Sequence, residues 1–255
     1  MNIRIGIAGI AGRMGRLLAD EVVAAGAQLA GGIDRPGVAA SVATLLPDIT
    51  ALAQVADVVV DFTHASTTQR HAEALAAAGV AWVLGTTGLS AQDEASVQQA
   101  AQRIAVVQAP NFSPGVNLVL ALAGRMAAAL PADAYDAEII EMHHRQKVDA
   151  PSGTALGLGH AVARGRGVAL ETVRDSGRDG HTGARRAGAI GFAALRGGQV
   201  VGEHTLLFAA ADEQIALTHR AFDRRVFASG AIRAALWVAG RPSGHYSMMD
   251  VLGMT

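Results

Sequence analysis

The chain has 255 residues, of which 51% are hydrophobic, so it can bury one large core or two smaller ones. Its 22 acidic and 21 basic side chains nearly cancel, which excludes the strongly basic surface that nucleic acids and anionic membranes require. The absence of cysteine excludes disulfides and thiolate metal sites. Small metabolites remain as the open class of ligand.

The start of the chain, MNIRIGIAGI, lacks the basic region and the long apolar region of a secretory signal. No apolar run in the sequence reaches the length of a membrane span. Together with the absence of cysteine, these features predict a cytoplasmic protein with neither nucleic acid nor a membrane as its partner.

Short apolar strands alternate with helices over the first part of the chain. A glycine-rich turn follows the first strand, and apolar residues then recur at helical spacing at Met14, Leu17 and Val22. Repeated strand–helix alternation predicts a parallel, doubly wound sheet with right-handed crossovers. The predicted strands are residues 3–8, 29–33, 58–62, 82–84 and 104–107, and the predicted helices are residues 13–25, 66–78 and 90–101.

The pattern changes after residue 113, where we expect a second domain of mixed α+β structure to begin. A long apolar helix is predicted for residues 115–130, a strand for 135–142 and a helix for 155–163. Strands at 190–195, 200–208 and 214–218 are separated only by short turns, which are typical of antiparallel neighbours. A helix at 224–239 is predicted to return to the first domain, and residues 174–188 are predicted to form a loop.

The turn between the first strand and the first helix contains Gly9, Gly12 and Gly15. Glycines let the backbone approach a pyrophosphate, and a helix N-terminus offers N–H groups and a partial positive charge. The spacing Gly-x-x-Gly-x-x-Gly departs from the commoner Gly-x-Gly-x-x-Gly, so a connection that binds no ligand remains an alternative. The cofactor-binding residues predicted in this turn are Gly9, Ile10, Ala11, Gly12, Arg13 and Met14.

The second strand ends at Asp34, about 20 residues beyond the glycine turn, where an acid can accept hydrogen bonds from an adenosine ribose. Its neighbour Arg35 can hold a 2′-phosphate, lie against adenine or be an ordinary surface charge. We therefore predict that Asp34 and Arg35 bind the cofactor, while the choice between NADH and NADPH stays open.

Two further loops follow predicted strands, and ligands bind outside the carboxyl ends of the strands in an open parallel sheet. Their hydroxyl, amide and backbone groups are suited to border a nicotinamide, although simple turn chemistry would use the same residues. The cofactor-binding residues predicted in these loops are Gly85, Thr86 and Thr87, and Ala109, Pro110, Asn111 and Phe112.

The segment EIIEMHHRQKVDAPSGTA, residues 138–155, concentrates groups that transfer protons and bind anions. His143 has the side chain whose ordinary pKa lies nearest neutrality, so it can give or take a proton. Lys147 is the only lysine of the chain, and unlike arginine it can lose its proton. We predict that His143 and Lys147 are catalytic.

A helix start follows at Ser152, Gly153 and Thr154, and free N–H groups there suit a carboxylate. His144 is also suited to an anionic substrate, although N-capping and surface ion pairs are the structural alternatives for these side chains. Zinc binding by Glu141, His143 and His144 is not favoured, because the spacing is not that of a zinc helix. We predict no metal.

With these residues in place, the chain resembles the 4-hydroxy-tetrahydrodipicolinate reductase (dihydrodipicolinate reductase) family over nearly its full length. Similar segments also occur at the N-terminal turn, in the two loops that follow strands, and around residues 190–192, 196–198 and 202–205. The most specific agreement is in Glu138, Glu141, His143, His144, Lys147, Asp149, Pro151, Ser152, Gly153, Thr154 and Ala155.

The resemblance implies an α/β fold, with a Rossmann-like dinucleotide-binding domain (residues 1–113 plus 224–255) and an α+β substrate-binding and oligomerisation domain (residues 114–223). It implies hydride transfer from NADH or NADPH to a cyclic dicarboxylate, with loss of its 4-hydroxyl as water, in diaminopimelate and lysine biosynthesis. His143 and Lys147 would transfer protons, His144, Gly153 and Thr154 would bind substrate, and the assembly would be a homotetramer.

Two other functions are compatible with parts of the sequence. A non-catalytic nucleotide-binding protein would keep the glycine turn but would not need His143 and Lys147 together. A different nicotinamide-dependent dehydrogenase would share the first domain but would not need the corner formed by Ser152, Gly153 and Thr154.

Overall fold

The computed structural model describes residues 2–35, 37–38 and 44–254. Packing divides the chain into two compact units, Met1–Pro114 with Arg224–Thr255 and the continuous segment Gly115–Asp223. The second unit is therefore an insertion within the sequence of the first. No helix among the described residues is both long and apolar enough to span a membrane.

The strands, in chain order, are β1 (Arg4–Ala8), β2 (Gln28–Ile33), β3 (Val58–Asp61), β4 (Ala81–Leu84), β5 (Ala105–Gln108), β6 (Asp136–His143), β7 (Arg174–Ser176), β8 (Ile190–Arg196), β9 (Gly202–Ala209), β10 (Gln214–Ala221) and β11 (Gly244–Tyr246). The helices are α1 (Arg13–Ala24), α2 (Ile49–Val55), α3 (Thr68–Ala78), α4 (Ala91–Ala101), α5 (Pro114–Ala129), α6 (Gly153–Gly165), α7 (Leu170–Val173), α8 (Arg225–Val238) and α9 (Met248–Val251).

Among the described residues, the first unit contains a six-stranded sheet in the order β11-β5-β4-β3-β1-β2. All of its pairings are parallel. The central strands are continuous apolar runs because both of their faces are covered, and β3 is buried over its whole length. The predicted parallel, doubly wound sheet is confirmed.

Two apolar clusters cover the opposite faces of this sheet. Alternate strand residues separate them, since Val58 and Val60 pack in one cluster and Val59 in the other. The first cluster includes Leu18 of α1 and residues of α8, and the second includes residues of α2, α3 and α4 such as Leu75. This two-layer covering leaves the carboxyl ends of the strands as the edge where a ligand can bind.

The second unit is built on a mixed five-stranded sheet in the order β10-β9-β6-β8-β7, counted over the part of the chain that the structure describes. Residues alternate along β6, so that Ala137, Ile139, Glu141 and His143 lie on its buried face. Helices α5 and α6 contribute apolar residues to the same core, including Ala123 and Leu158. The central strand thus carries Glu141 and His143 towards the helical layer.

The expected direct pairing of the strands on either side of Gly197-Gly198 is wrong. Strand β6 lies between them, parallel to β8 and antiparallel to β9. The Gly197 N–H donates to the His143 carbonyl at 2.9 Å, and the Arg145 N–H donates to the Gly198 carbonyl at 3.3 Å. The short turn therefore crosses the end of β6. The antiparallel pairing of β9 with β10 is confirmed.

Several short elements lie outside the predictions: α2, α7, β7, β11 and α9. Most have only three or four residues, too few to show a period. Strand β7 begins the segment predicted as a loop at 174–188, and it pairs in parallel with β8. Helix α2 did have a signal, since the Asp48 carboxylate caps it by accepting the Ala51 N–H at 2.9 Å.

Candidate functional site

The glycine turn of the first unit is tightly closed. Gly9 has a φ of +86°, a conformation that favours glycine. A Cβ atom at Gly15 would lie 2.1 Å from the Gly9 carbonyl oxygen and 2.5 Å from the Ile10 Cα, so only glycine fits there. The turn leads directly into α1, whose N-cap residue Gly12 makes no side-chain capping bond. The first N–H groups of the helix are thus left for an anion.

The Asp34 carboxylate is joined to this turn. Its Oδ2 atom accepts the Ala11 N–H and its Oδ1 atom accepts the Arg35 N–H, both at 2.8 Å. A carboxylate has about four acceptor positions, so both oxygens keep capacity for a ribose diol. The structure therefore places Asp34 beside the predicted phosphate turn and in an orientation held by the backbone.

A cavity of about 540 Å³ lies at the carboxyl ends of β1, β2 and β3. Gly9, Gly12, Asp34 and Arg35 are the predicted cofactor residues among its lining. The strand order places β1 between β2 and β3, which is the crevice where doubly wound sheets bind nucleotides. The remaining lining residues include Phe62, Thr63, His64, Thr67, Arg70 and His71.

The loop after β3 was not predicted as part of the site. The rule that ligands bind outside the carboxyl ends of parallel strands, which was applied to β4 and β5, would have included it. Asp61 ends β3 with no exposed surface, and its carboxylate accepts the Thr63 hydroxyl at 2.6 Å and lies 2.7 Å from Nδ1 of His71. The Thr63 N–H donates to the Thr86 hydroxyl at 3.2 Å. These bonds fix the cavity wall formed by the β3 loop.

The loops after β4 and β5 pack against Phe62, which lines this cavity. A Cβ atom at Gly85 would lie 2.4 Å from the Phe62 ring, and the Phe112 ring packs 5.6 Å from it. Thr86, Ala109 and Phe112 are buried. Of the other predicted cofactor residues, Ile10 is a core residue and Arg13, Thr87 and Pro110 are exposed, while the Asn111 side chain accepts the Ser113 N–H at 2.8 Å.

The second unit carries an acid–base group at the end of β6. Nδ1 of His143 lies 2.6 Å from Oε2 of Glu141, which is 1% exposed. The Arg196 guanidinium donates to both oxygens of Glu141 at 2.8 Å, and the Ser152 N–H donates to Oε1 at 3.1 Å. An ionised carboxylate only accepts, so Nδ1 of His143 carries a proton and Nε2 is left for exchange with a substrate.

Burial and hydrogen bonding act against each other in this group. Burial alone would raise the pKa of Glu141, but the donors Arg196, His143 and Ser152 outweigh it and hold the pKa below its ordinary value. Burial lowers the pKa of His143, although the Glu141 carboxylate opposes this, and the cations Lys147 and Arg196 lower it further. At neutral pH the pair is therefore a carboxylate and a neutral imidazole.

Lys147 lies in the turn that follows β6. Its N–H donates to the His144 carbonyl at 3.1 Å, and its ammonium donates to Oδ1 of Asp149 at 2.8 Å. The Lys147 cation holds the pKa of Asp149 below its ordinary value. The lysine side chain is 21% exposed and the aspartate side chain 55%, so the ammonium is held near His143 by a partner that water can replace.

Helix α6 begins beside the same group. The Ser152 hydroxyl accepts the Ala155 N–H at 3.2 Å, which is an N-cap bond. A Cβ atom at Gly153 would meet nothing within 4 Å, so the backbone at the helix start is open to a ligand. Thr154 follows within the first turn. The predicted N-cap and the predicted open helix start thus occur together.

Glu141, Arg196 and Gly202 were not assigned roles from the sequence. A Cβ atom at Gly202 would lie 3.0 Å from Nε2 of His143, so this glycine keeps space around the exchanging nitrogen. The alternation of side chains along β6 places Glu141 on the same sheet face as His143. Arg196 and Gly202 can be found only from the register of β8 and β9 against β6. No group of three or more metal-ligating side chains is present among the described residues.

Two family models match consecutive parts of the chain. The model described as dihydrodipicolinate reductase, N-terminus, matches residues 3–112. The model described as dihydrodipicolinate reductase, C-terminus, matches residues 115–252. Together they cover almost the whole sequence.

Relatives and solved structures agree with these matches. The chain is 66% identical over 256 residues to a 4-hydroxy-tetrahydrodipicolinate reductase of Granulibacter bethesdensis, and the alignment covers 99% of this chain and 98% of that protein. It is 64% identical to the protein of the same name from Acidiphilium cryptum, and that alignment covers 99% of this chain and 98% of the relative.

The structure of a dipicolinate-bound dihydrodipicolinate reductase from Paenisporosarcina sp. TG-14 superposes with a TM-score of 0.81 and 25% identity, covering 98% and 99% of the two chains. GenD2 from gentamicin A biosynthesis, in complex with NAD, shares only the fold, with a TM-score of 0.56 and 16% identity over 99% of this chain and 91% of that one. The matches over both halves of the sequence show that the chain belongs to the dihydrodipicolinate reductase family.

Proposed function

We propose that the protein reduces 4-hydroxy-tetrahydrodipicolinate to tetrahydrodipicolinate with NADH or NADPH, in the biosynthesis of diaminopimelate and lysine. The net reaction consumes one hydride and one proton and releases the 4-hydroxyl group as water. The observation that carries the proposal is the buried Glu141–His143 pair next to Lys147 and the open start of α6. A non-catalytic nucleotide-binding protein needs no such group.

The lining of the cavity in the first unit suits the adenosine and pyrophosphate part of a dinucleotide. The closed glycine turn and the N-terminus of α1 suit a pyrophosphate, while Asp34 and Arg35 are placed to contact the adenosine ribose. When bound, the reduced nicotinamide supplies a hydride to the substrate ring. Arg35 and Arg70 both line the cavity near Asp34, so the cavity offers an acceptor for a ribose diol and cations for a 2′-phosphate.

In the proposed mechanism, the residues of the second unit move protons and hold the substrate. Glu141 fixes the orientation of His143, so that Nε2 faces the space kept by Gly202 and exchanges a proton there. Lys147, held by Asp149, donates a proton to the reacting ring. Lys147 and His143 then act on the same substrate as two separate groups, each exchanging its own proton.

We also propose that the substrate carboxylates bind at the helix start and beside His144. The N–H groups of Gly153 and Thr154 lie in the first turn of α6, where the helix dipole favours an anion. The absence of any atom within 4 Å of a Cβ at Gly153 leaves a carboxylate free to approach the backbone. These contacts orient the ring relative to His143.

The activity is tested by following NADH and NADPH absorbance at 340 nm with 4-hydroxy-tetrahydrodipicolinate generated enzymatically in the same cuvette. We expect turnover that requires both the precursor-forming enzyme and this protein. His143→Ala and Lys147→Ala are expected to lower turnover by about 10²- to 10⁴-fold, while titration of NADH fluorescence shows unchanged cofactor binding. No turnover of the wild-type protein with either cofactor would contradict the proposal.

We propose that the enzyme is a cytoplasmic homotetramer whose subunits meet through the second sheet. The face of this sheet opposite to its helices carries Ile140 and Leu195, which are 41% and 47% exposed. These are large apolar side chains for a free surface, and a cavity of about 790 Å³ opens on the same face. Light scattering of the purified protein is expected to give the mass of four chains.

The matched variants are Ile140→Asp, on the exposed face, and Val23→Asp, at an exposed apolar position of α1 in the other unit. Ile140→Asp is expected to give smaller species, whereas Val23→Asp keeps the wild-type mass. A tetramer that survives Ile140→Asp and Leu195→Asp together would exclude this face as the interface.

A further inference from the structure

His204 has no role in the mechanism above, yet it lies within the acid–base group. It occupies β9 directly opposite Glu141 of β6 and is 4% exposed. Its ring meets the His143 ring edge-on, with 5.0 Å between the centroids and 72° between the planes. A buried polar side chain in this position needs a reason, because burying it without a hydrogen bond is costly.

The hydrogen-bond partner of His204 is the hydroxyl of Ser152, which lies 3.0 Å from Nε2. That hydroxyl oxygen already accepts the Ala155 N–H in its capping bond, so its proton is directed elsewhere. In the tautomer that carries the ring proton on Nδ1, the neutral imidazole of His204 accepts this proton at Nε2. Ser152 thus caps α6 through its oxygen and is oriented by His204 through its proton.

His204 is suited to be such an acceptor because it stays uncharged. Burial, followed by the neighbouring His143, lowers the pKa of His204 to about 4. Its Nδ1 atom is buried and has no hydrogen-bond partner within the described part of the chain. Ser152 is therefore the polar contact that the structure records for this ring, and the ring does not compete with His143 for protons at neutral pH.

We propose that His204 is a positioning residue for substrate binding: by accepting the Ser152 hydroxyl, it holds the start of α6 so that the Gly153 and Thr154 N–H groups face a substrate carboxylate. This inference rests on the proposed function. Ser152 also donates its N–H to Glu141, so one serine links the anion-binding helix start to the support of His143. Loss of the His204 bond frees the serine side chain to rotate out of the capping orientation.

The test compares His204→Phe, which keeps a ring against His143 but removes the acceptor, with His204→Gln, whose amide oxygen can accept the Ser152 proton. His160→Gln, at an exposed position of α6, is the matched control. The probe is dipicolinate, a planar ring dicarboxylate, titrated by calorimetry into the full-length enzyme saturated with NADH. Substrate KM and kcat are measured in parallel.

His204→Phe is expected to raise the dipicolinate Kd and the substrate KM about tenfold, the effect of losing roughly one hydrogen bond. The kcat and the Kd for NADH are expected to stay within about threefold, because phenylalanine keeps a ring against His143 and the first unit is unchanged. His204→Gln and His160→Gln are expected to bind dipicolinate within about threefold of the wild type.

A double-mutant cycle with Ser152→Ala identifies the path of the effect. If His204 acts through Ser152, the double variant binds dipicolinate no more weakly than Ser152→Ala alone. Additive losses, or wild-type affinity in His204→Phe, would overturn the inference. If His204→Phe fails to fold, His204→Asn replaces it, since its shorter amide does not reach the hydroxyl. Failure of the wild type to turn over would instead contradict the proposed function.

Discussion

Lys147 is the residue whose chemistry is most sharply testable. Lys147→Arg retains a positive charge next to Asp149 but replaces an amine that can release its proton by a guanidinium that does not. If Lys147 donates a proton, kcat falls by about 10²- to 10⁴-fold. The measurement is steady-state turnover, with the dipicolinate Kd determined alongside.

The control for this substitution is Arg164→Lys, at an exposed position of α6, which changes the same functional groups in the opposite direction. We expect it to keep wild-type turnover. If Lys147→Arg keeps wild-type kcat and only its dipicolinate affinity changes, Lys147 binds the substrate carboxylate and does not transfer a proton.

Glu141 supports three neighbours at once, and its neutral amide analogue tests that support. Glu141→Gln leaves the Arg196 guanidinium without its buried counter-charge and allows His143 to adopt the other tautomer. We expect kcat to fall by about 10²- to 10⁴-fold and the free energy of unfolding to fall by about 3 kcal/mol. Turnover and urea unfolding are the two measurements.

Glu171→Gln, an exposed carboxylate on α7, provides the comparison for charge loss without burial. This substitution is expected to change the free energy of unfolding by less than about 0.5 kcal/mol. Wild-type turnover in Glu141→Gln would show that the tautomer of His143 does not depend on this carboxylate.

At the level of single residues, the sequence pointed to the groups that we propose to react, but not to the groups that hold them in place. His143, Lys147 and Gly153 stand out by residue type and by closeness in the chain. Arg196 and His204 are more than 50 positions away from Glu141 and Ser152, respectively. Their partnership depends on strand register, which no local pattern of residues reveals.

Among the elements, the turn between β1 and α1 has the least tolerance for change. The atoms that a Cβ at Gly15 would meet belong to the backbone of Gly9 and Ile10, and backbone cannot rotate aside. Gly15→Ala is therefore expected to raise the Kd for NADH at least about tenfold, as measured by NADH fluorescence, because the helix start moves away from the pyrophosphate position.

Gly124→Ala is the matched control, since its Cβ would meet only the Ala161 carbonyl oxygen at an ordinary 3.5 Å within the second unit. Its affinity for NADH is expected to stay at the wild-type value. A folded Gly15→Ala protein with unchanged NADH affinity would show that this turn does not bind the cofactor.

Element prediction succeeded where burial is periodic and failed where it is set by distant neighbours. The central strands of the first sheet, such as β3 and β4, are short apolar runs separated by helices, and their pairing follows from the crossovers between them. The turn at Gly197-Gly198 looked like a hairpin because turn residues report chain reversal only. They do not report whether a third strand, here β6, enters between the two arms.

For the whole molecule, the buried histidines make stability depend on pH. The ordinary pKa of histidine is 6.5, and that of His204 in the folded protein is about 4, so the unfolded chain binds a proton over this range that the folded chain does not. Stability is therefore full above pH 6.5 and decreases as the pH falls towards 4. His143 acts in the same direction.

Between pH 7 and pH 5, the His204 contribution amounts to a loss of about 2 kcal/mol. Urea unfolding at the two pH values measures it, and His204→Gln removes the titrating group. We expect the variant to lose about 2 kcal/mol less than the wild type over this interval. Equal losses in both proteins would show that His204 binds protons equally in the folded and unfolded chains over this interval, so that its pKa is not lowered by folding.

At the same scale, the sequence predicted a second domain from the change in the strand–helix pattern after residue 113, and a return to the first domain at residue 224. Helix α8 begins one residue later than that, at Arg225. The packing of the structure separates Gly115–Asp223 from the remainder. The face that we propose as the interface between copies cannot be identified from helix and strand periods, because the exposure of Ile140 and Leu195 becomes visible only when the sheet faces are known.

The single lysine has a spectroscopic consequence. Protein grown with lysine labelled by ¹⁵N at Nζ contains one labelled side chain per subunit, that of Lys147. A spectrum of that nucleus has one signal and needs no assignment. The ion pair with Asp149, the arrival of a dicarboxylate and any later exchange of the ammonium protons would each be followed in that signal, at the atom proposed to react.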